Sequence, residues 1–342
     1  MNKKLGSFFK ETEFWVFIII LALSLLIQLR SGLFFTNNNL VDIARSMIYP
    51  SMCAICALLA FVSTGPDVSF PLIGALSSYL AIMIANQLNP NLHWSLIYLI
   101  GILMGALMGA LNGFIIVKYA FPSLIVTLGT SSIFNGILLG TFQAERMDLP
   151  ASLNQFGKSN LFTVKNNQTG LGSAMPYTLL ILIGLYFIAY FILNHTTVGR
   201  GIYAIGGDEV AAERAGFNVN KIRFGVFVAN GCIAAVAGLS YAVMSLRYLP
   251  TEYEGGEMVV IAAIVLGGTR LAGGVGTLRG CLLGTLLLTM VTNSLILVGI
   301  SIHWQKVIVG LIILLGTAIP QLQKLMLERN QQHENKINVT KN

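Results

Sequence analysis

Four stretches of the sequence concentrate polar, charged or conformationally special residues, and each suggests a different chemistry. Ser63-Thr64-Gly65-Pro66-Asp67-Val68-Ser69-Phe70-Pro71 interrupts an otherwise apolar run. Pro66 lacks an N–H and disfavours helix at Gly65. A carboxyl near a bilayer is costly, so Asp67, with Ser69 beside it, is either an N-cap for a helix starting near Val68 or a transport residue. Pro250-Thr251-Glu252-Tyr253-Glu254-Gly255-Gly256-Glu257 crowds three acids into one turn. Glu252, Glu254 and Glu257 either receive basic groups of a docked protein or form a solvated turn. Gly267-Gly268-Thr269-Arg270-Leu271-Ala272-Gly273-Gly274-Val275-Gly276 is a glycine-rich loop before a helix, a type that can cradle phosphate. Finally, Gly206-Gly207-Asp208-Glu209-Val210-Ala211-Ala212-Glu213-Arg214-Ala215-Gly216-Phe217 reads as a short helix. Asp208 and Glu209 suit its N-terminus and Gly216 its end. Val210, Ala211 and Ala215 give it a small apolar face, which suits either a docking knob for another protein or an ordinary surface helix.

Other chemistries find no residues to carry them. The glycine-rich loop does not fit G-x-x-x-x-G-K-[ST]. The only G-K-S, Gly157-Lys158-Ser159, has Ser152 where the first glycine belongs. No nucleotide hydrolysis by this chain is expected. His93, His195, His303 and His333 are scattered, without zinc spacing. Cys53 and Cys56 form a lone C-x-x-C with no second pair and no neighbouring His. All four cysteines lie in apolar segments and read as small buried side chains. There is no G-x-S-x-G and no H-E-x-x-H, so no positioned nucleophile or metal-assisted base is expected.

The elements that must carry these residues follow from composition. The chain has 342 residues, 55% hydrophobic and 10% charged, with mean hydropathy +0.75. Soluble domains carry about 25% charged residues. No Asp, Glu, Lys or Arg occurs between Asp67 and Lys118, between Lys118 and Glu145, or between Lys165 and Arg200. Each stretch exceeds the roughly 20 apolar residues that cross a bilayer. These numbers exclude a soluble enzyme, a nucleic-acid binder and a disordered chain. They predict an all-α integral membrane protein in a lipid bilayer.

Ten membrane segments are expected, at 14–29, 46–64, 68–86, 93–117, 121–142, 177–194, 222–246, 257–268, 277–299 and 303–322. The eighth is too short to cross alone and is read as a half-helix or as a segment that leans on the glycine-rich loop after it. Lys3, Lys4 and Lys10 precede the first segment, and no small-x-small cleavage site follows it, so it reads as an uncleaved helix. With alternating topology, fourteen Lys and Arg fall on the side of the N-terminus and seven on the other. That bias places both ends in the cytoplasm and accounts for the net charge of +7 without nucleic acid. A single membrane domain over 1–322 and a disordered polar tail over 323–342 are expected. Gly101, Gly105, Gly109 and Gly113, and again Gly276, Gly280 and Gly284, recur at every fourth position, as helix-packing faces do. Asn112, Thr127, Thr130 and Asn135 lie within spans, as path residues or interhelical hydrogen-bonders. Charges inside the spans are nearly absent, which disfavours the rival reading, an ion-coupled carrier.

At these motifs the chain resembles the ribose, galactoside and autoinducer-2 type of ABC permease. Gly65-Pro66-Asp67-Val68-Ser69 resembles the family's G-I-D-L-S. Pro122-Ser123-Leu124-Ile125-Val126-Thr127-Leu128-Gly129-Thr130 resembles P-x-F-I-x-T-L-G-T. Gly199 to Gly207, continued through Ala211, Ala212 and Gly216, resembles G-R-x-x-Y-A-x-G-G-N-x-x-A-A…S-G-I. Val265 to Thr277 is similar to V-L-G-G-x-S-L-x-G-G-x-G-T. Pro66 stands for the usual Ile, Phe70-Pro71 for V-G, Asp208 for Asn, and Arg270 for Ser.

The resemblance implies a type II importer-like fold in a prokaryotic plasma (inner) membrane. It implies a second permease chain, identical or related, a cytoplasmic ABC ATPase that uses ATP and Mg, and an external solute-binding protein. No cofactor of the chain's own is implied. It also implies that Asp208, Glu209, Val210, Ala211, Ala212, Glu213, Arg214, Gly216 and Phe217 form the helix that couples to the ATPase. The expected activity is ATP-driven import of a sugar or sugar-like solute, without covalent chemistry.

Overall fold

The computed structural model describes residues 12–165, 172–301, 304–305, 307–311 and 314. Its helices are α1 (Thr12–Ser31), α2 (Asn37–Ser46), α3 (Ile48–Ser63), α4 (Phe70–Leu88), α5 (Trp94–Tyr119), α6 (Ser123–Gly136), α7 (Ala151–Lys158), α8 (Thr178–His195), α9 (Thr197–Gly207), α10 (Glu209–Arg214), α11 (Val219–Ser245), α12 (Glu257–Leu266) and α13 (Leu278–Leu297). Strands β1 (Asn160–Lys165) and β2 (Gly172–Pro176) form the one sheet among the described residues.

Among the described residues, eight helical stretches are long and apolar enough to cross a membrane, counting α2 and α3 as one broken span over Asn37–Ser63. The eighth expected segment is α12, whose 10 residues rise about 15 Å, half of a hydrocarbon core of about 30 Å. The expected tenth segment, 303–322, falls largely outside the described residues. So do the first eleven residues and the 323–342 tail.

Two differences from the sequence expectation have physical reasons. Helix begins at Asn37 rather than near 46, because Thr36 caps the start by accepting from Asn39 N at 3.4 Å, and Val41 and Ile43 face inward. Hydropathy alone misses such an amphipathic turn. The 143–175 stretch, left between the fifth and sixth expected segments, holds α7 and the antiparallel β1–β2 pair, with Phe162 opposite Met175 and Val164 opposite Ser173. Asn38 Nδ2 ties that pair to α2, donating to Val164 O at 3.3 Å and Ser173 Oγ at 3.2 Å.

The loops sort to two ends. Met147 and Tyr248 exchange backbone hydrogen bonds of 3.0 and 2.9 Å, so the 143–177 and 246–256 connections share one end. Gly274 N donates to Val62 O at 3.1 Å, so the glycine-rich loop and the end of α3 share the other. We call these the outer and inner ends, following the charge bias.

Helices α3, α4 and α11 are buried on most sides, and α5 lies along α11. The contact is glycine on glycine. A Cβ on Gly105 would overlap the Gly231 carbonyl oxygen, and one on Gly109 that of Phe227. The second glycine row works alike: Gly280 backs onto Gly267 O and Gly284 onto Ala263 O. Backbones that touch cannot admit a side chain without separating. Gly105→Val should therefore lower stability by about 1–3 kcal/mol or more. Gly184→Ala, with open space around it, should leave stability unchanged or raised. Thermal unfolding of the two variants in detergent checks this.

Candidate functional site: a buried polar junction and a capped surface helix

The break after α3 is built by its own residues. Thr64 N and Gly65 N both donate to Ala60 O, ending the helix. Gly65 has φ +122°, a conformation that glycine alone adopts readily. Asp67 Oδ1 then accepts from Ser69 N at 2.9 Å and from Ser69 Oγ at 2.7 Å, turning the chain into α4. Pro71 fits the first turn of that helix, where no N–H partner is needed.

This turn sits inside the bundle, not on it. Asn112 Nδ2 on α5 donates to Ser69 Oγ at 2.8 Å. Asn230 Nδ2 on α11 donates to Asp67 Oδ2 at 3.2 Å. Val68 N donates to Thr127 Oγ1 on α6 at 3.3 Å. Asp67, Ser69, Thr127 and Asn230 are 0% exposed. Four predicted residues (Asp67, Ser69, Asn112 and Thr127) thus meet in one junction joining α3, α4, α5, α6 and α11. Thr130 is buried one turn along α6 and bonds only its own helix, at Thr127 O. Asn135 is half-buried further along α6 and stands apart from the junction. Asn230 is a member that the sequence reading missed. Its one available signal was an amide in the middle of a long apolar segment.

The junction is a hydrogen-bonded lock, not an open channel. Two acceptors in it, Asn112 Oδ1 and Asn230 Oδ1, have no partner. Unpaired buried acceptors cost about 1–3 kcal/mol each, which leaves the junction able to gain from rearrangement. Among the described residues, no three His, Cys, Asp or Glu side chains are grouped so as to hold a metal.

At the inner end, three backbones meet. A Cβ on Gly206, near the end of α9, would overlap Val62 O of α3 and crowd Gly274 N. Tyr203 Oη donates to Gly276 O at 2.9 Å. The glycine-rich loop is therefore packed against α3 and α9, with Gly273 and Gly274 at φ +90° and +72°. From this seat α10 projects outward. Asp208 Oδ1 caps it, accepting from Ala211 N at 3.0 Å. Gly216, at φ +88°, ends it, and Phe217 N returns to Ala212 O at 3.1 Å. Arg223 of α11 grips Glu209 with two hydrogen bonds of 2.7 and 2.6 Å. Ala212 is buried against Ile205 and Val219, and Phe217 is partly buried there. Val210 points away and is 56% exposed. Ala211, Glu213 and Arg214 are exposed with it. The predicted docking residues thus divide into an outward face and an inward anchor.

At the outer end the three predicted acids differ. Glu252 pairs with Arg247 at 2.7 Å. Glu254 is exposed, and Glu257 is half-buried in the first turn of α12. Tyr253 between them is buried, and its Oη donates to Gly238 O at 3.0 Å. Burial holds that hydroxyl protonated well above the usual phenol range.

Residues 39–316 match the family described as branched-chain amino acid transport system / permease component. A probable ABC transporter permease protein, YphD of Escherichia coli, is 32% identical over 304 residues, covering 89% of this chain and 88% of its own. The ribose import permease protein RbsC of Bacillus subtilis is 32% identical over 318 residues, covering 93% and 92%. The autoinducer 2 import system permease protein LsrC of Enterobacter is 32% identical over 307 residues, covering 89% and 85%. No solved structure is significantly similar to the chain.

Proposed function

The chain belongs to the branched-chain amino acid transport system / permease component family, and from that premise we propose that it forms the membrane path of an ATP-driven importer for a sugar or sugar-like small solute. The relatives named for ribose and autoinducer 2 import align along most of their own lengths, which supports that solute class. The single observation that carries the reading is α10, a short helix capped at both ends and pinned by an ion pair. It presents Val210 to solvent at the end assigned to the cytoplasm.

In this reading α10 seats in a separate cytoplasmic ABC ATPase, which uses ATP and Mg. A second permease chain, identical or related, completes the path. An external solute-binding protein docks over Glu252, Glu254 and Glu257. The membrane is the prokaryotic inner membrane, and the chain itself performs no covalent chemistry. Movement of α10 passes through the Gly206 contact to the end of α3, and from there to the turn that holds Asp67. Asp67, Ser69, Asn112 and Thr127 then act as the inner gate, with Thr130 and Asn135 further along α6.

The test is uptake of radiolabelled D-ribose by proteoliposomes holding the chain, its ATPase and its loaded binding protein. Uptake that needs ATP and stops without the ATPase is the expected result. Uptake driven by an ion gradient in the chain alone overturns the reading in favour of a secondary carrier.

A further inference from the structure

Resting on the importer reading, we propose that the outer half of the chain holds a binding cleft for a small neutral polyhydroxy solute, centred on Arg45, Tyr49 and Tyr241. Two cavities adjoin there, of about 310 and 180 Å³, and share Ser46 and Pro50 in their walls. They lie between the α2–α3 joint, α11, α12 and α13. The larger lies at the lower end of the about 300–1,000 Å³ range of small-molecule pockets.

The lining is mainly apolar, with Pro50, Met244, Val259 and Leu288 in it, but it carries a cluster of polar side chains. Arg45, Ser46, Tyr49, Tyr241 and Ser245 line the larger cavity. Thr285, Thr289, Thr292 and Asn293 line the smaller one. Elsewhere the exposed faces are apolar: Phe17, Leu21 and Leu25 on α1, and Ile183, Phe187 and Ile188 on α8. Those faces suit lipid. Thr285 and Thr292 satisfy their hydroxyls on carbonyls of their own helix, so the polar groups offered to a solute are those of Arg45, Ser46 and Asn293 beside the two tyrosines.

The cleft is also shaped in advance. The Tyr49 and Tyr241 rings lie 4.7 Å apart, and each packs against buried Tyr253, at 6.3 and 5.4 Å. They are therefore held by protein, unlike lipid-facing belt tyrosines. Arg45 is anchored by donating to Met244 O at 3.2 Å, which leaves guanidinium donors for the cleft. Fixed aromatic rings beside several hydroxyl-directed groups match the two aspects of a sugar: an apolar C–H face and a rim of hydroxyls. Among the described residues, no acidic side chain lines either cavity, while Arg45 does, which disfavours a cationic solute.

The test uses the intact chain with its ATPase and binding protein in proteoliposomes, with Cys232→Ala as background because the other three cysteines are buried. Ser46→Cys and Thr292→Cys should react with a charged, membrane-impermeant thiol reagent added outside, whereas Phe187→Cys should not. Reaction at Thr292→Cys should block D-ribose uptake. Tyr241→Ala should cut uptake about tenfold and Tyr241→Phe less than about twofold, with equal yields of assembled complex. Uptake by the background protein combined with no outside labelling at Ser46→Cys and Thr292→Cys overturns the cleft and leaves the importer reading standing. So does labelling that leaves uptake unchanged. If the background protein takes up no ribose with ATP, the importer reading fails for that solute, and the labelling pattern still decides whether the cleft is open to water.

Discussion

Val210→Asp is expected to release the ATPase from this chain while leaving the chain folded. Val210 is 56% exposed on a helix whose stability rests on other residues: the Asp208 cap, the Gly216 turn and the buried Ala212. A carboxylate there costs the isolated chain little, since surface changes are usually within about 0.5 kcal/mol. If α10 seats in the ATPase as proposed, the same carboxylate is desolvated in the contact. Loss of a central anchor typically costs at least about 2 kcal/mol, a weakening of roughly thirtyfold. Co-purification with the ATPase should therefore fail, with thermal unfolding unchanged.

Ala212→Asp should behave in the opposite way. Ala212 is 2% exposed against Ile205 and Val219, so a charge there melts the helix seat itself, and unfolding shifts down. Glu209→Gln should do little in either assay, because a half-exposed ion pair contributes at most about 1 kcal/mol. Equal ATPase recovery with Val210→Asp and wild type would sink α10 as the contact.

Asp67→Ala should be among the most destabilising single changes in the membrane domain. It strands three donors, Ser69 N, Ser69 Oγ and Asn230 Nδ2, in a site with no exposure. Each stranded donor costs about 1–3 kcal/mol, before any cavity is counted. Asp67→Asn should be far milder, for a specific reason. Asn230 Oδ1 has no partner, so a flip of the Asn230 amide lets that oxygen accept from the introduced NH2, and both Ser69 bonds survive. Thermal unfolding separates the two variants.

Uptake then separates structure from transport. A folded Asp67→Asn chain that still imports makes Asp67 a structural turn former. A folded chain that no longer imports assigns the carboxylate charge to the gate. Asn230→Leu offers a second view, because it removes one donor to Asp67 without touching the turn.

Much of this was legible because it is local. Hydropathy runs find helices since each bilayer-crossing segment must satisfy its own backbone. The glycine rows at every fourth position announced close helix contact, and the Gly105–Gly231 and Gly284–Ala263 contacts are of that kind. Asp208 and Gly216 marked the ends of α10 because caps are chosen by the residues beside them. The α2 turn and the β1–β2 pair escaped because amphipathic turns and short strands leave weak signals in a hydropathy trace.

The sequence by itself determined the membrane class, the short α12, the break at Gly65-Pro66 and the residue types at every site. Only the tertiary structure decided who meets whom. Asp67 and Asn230 are 163 residues apart in the chain, and nothing local links them. Whether Asp67 lines an open path or locks a buried turn depends on five helices arriving at one point. In the same way, Arg45, Tyr49 and Tyr241 become one cleft only because α11 packs beside the α2–α3 joint. Local propensities report on neighbours a few residues away. Which surfaces face each other is settled by packing across the whole bundle, where glycine spacing lets backbones touch and buried polar groups must find partners.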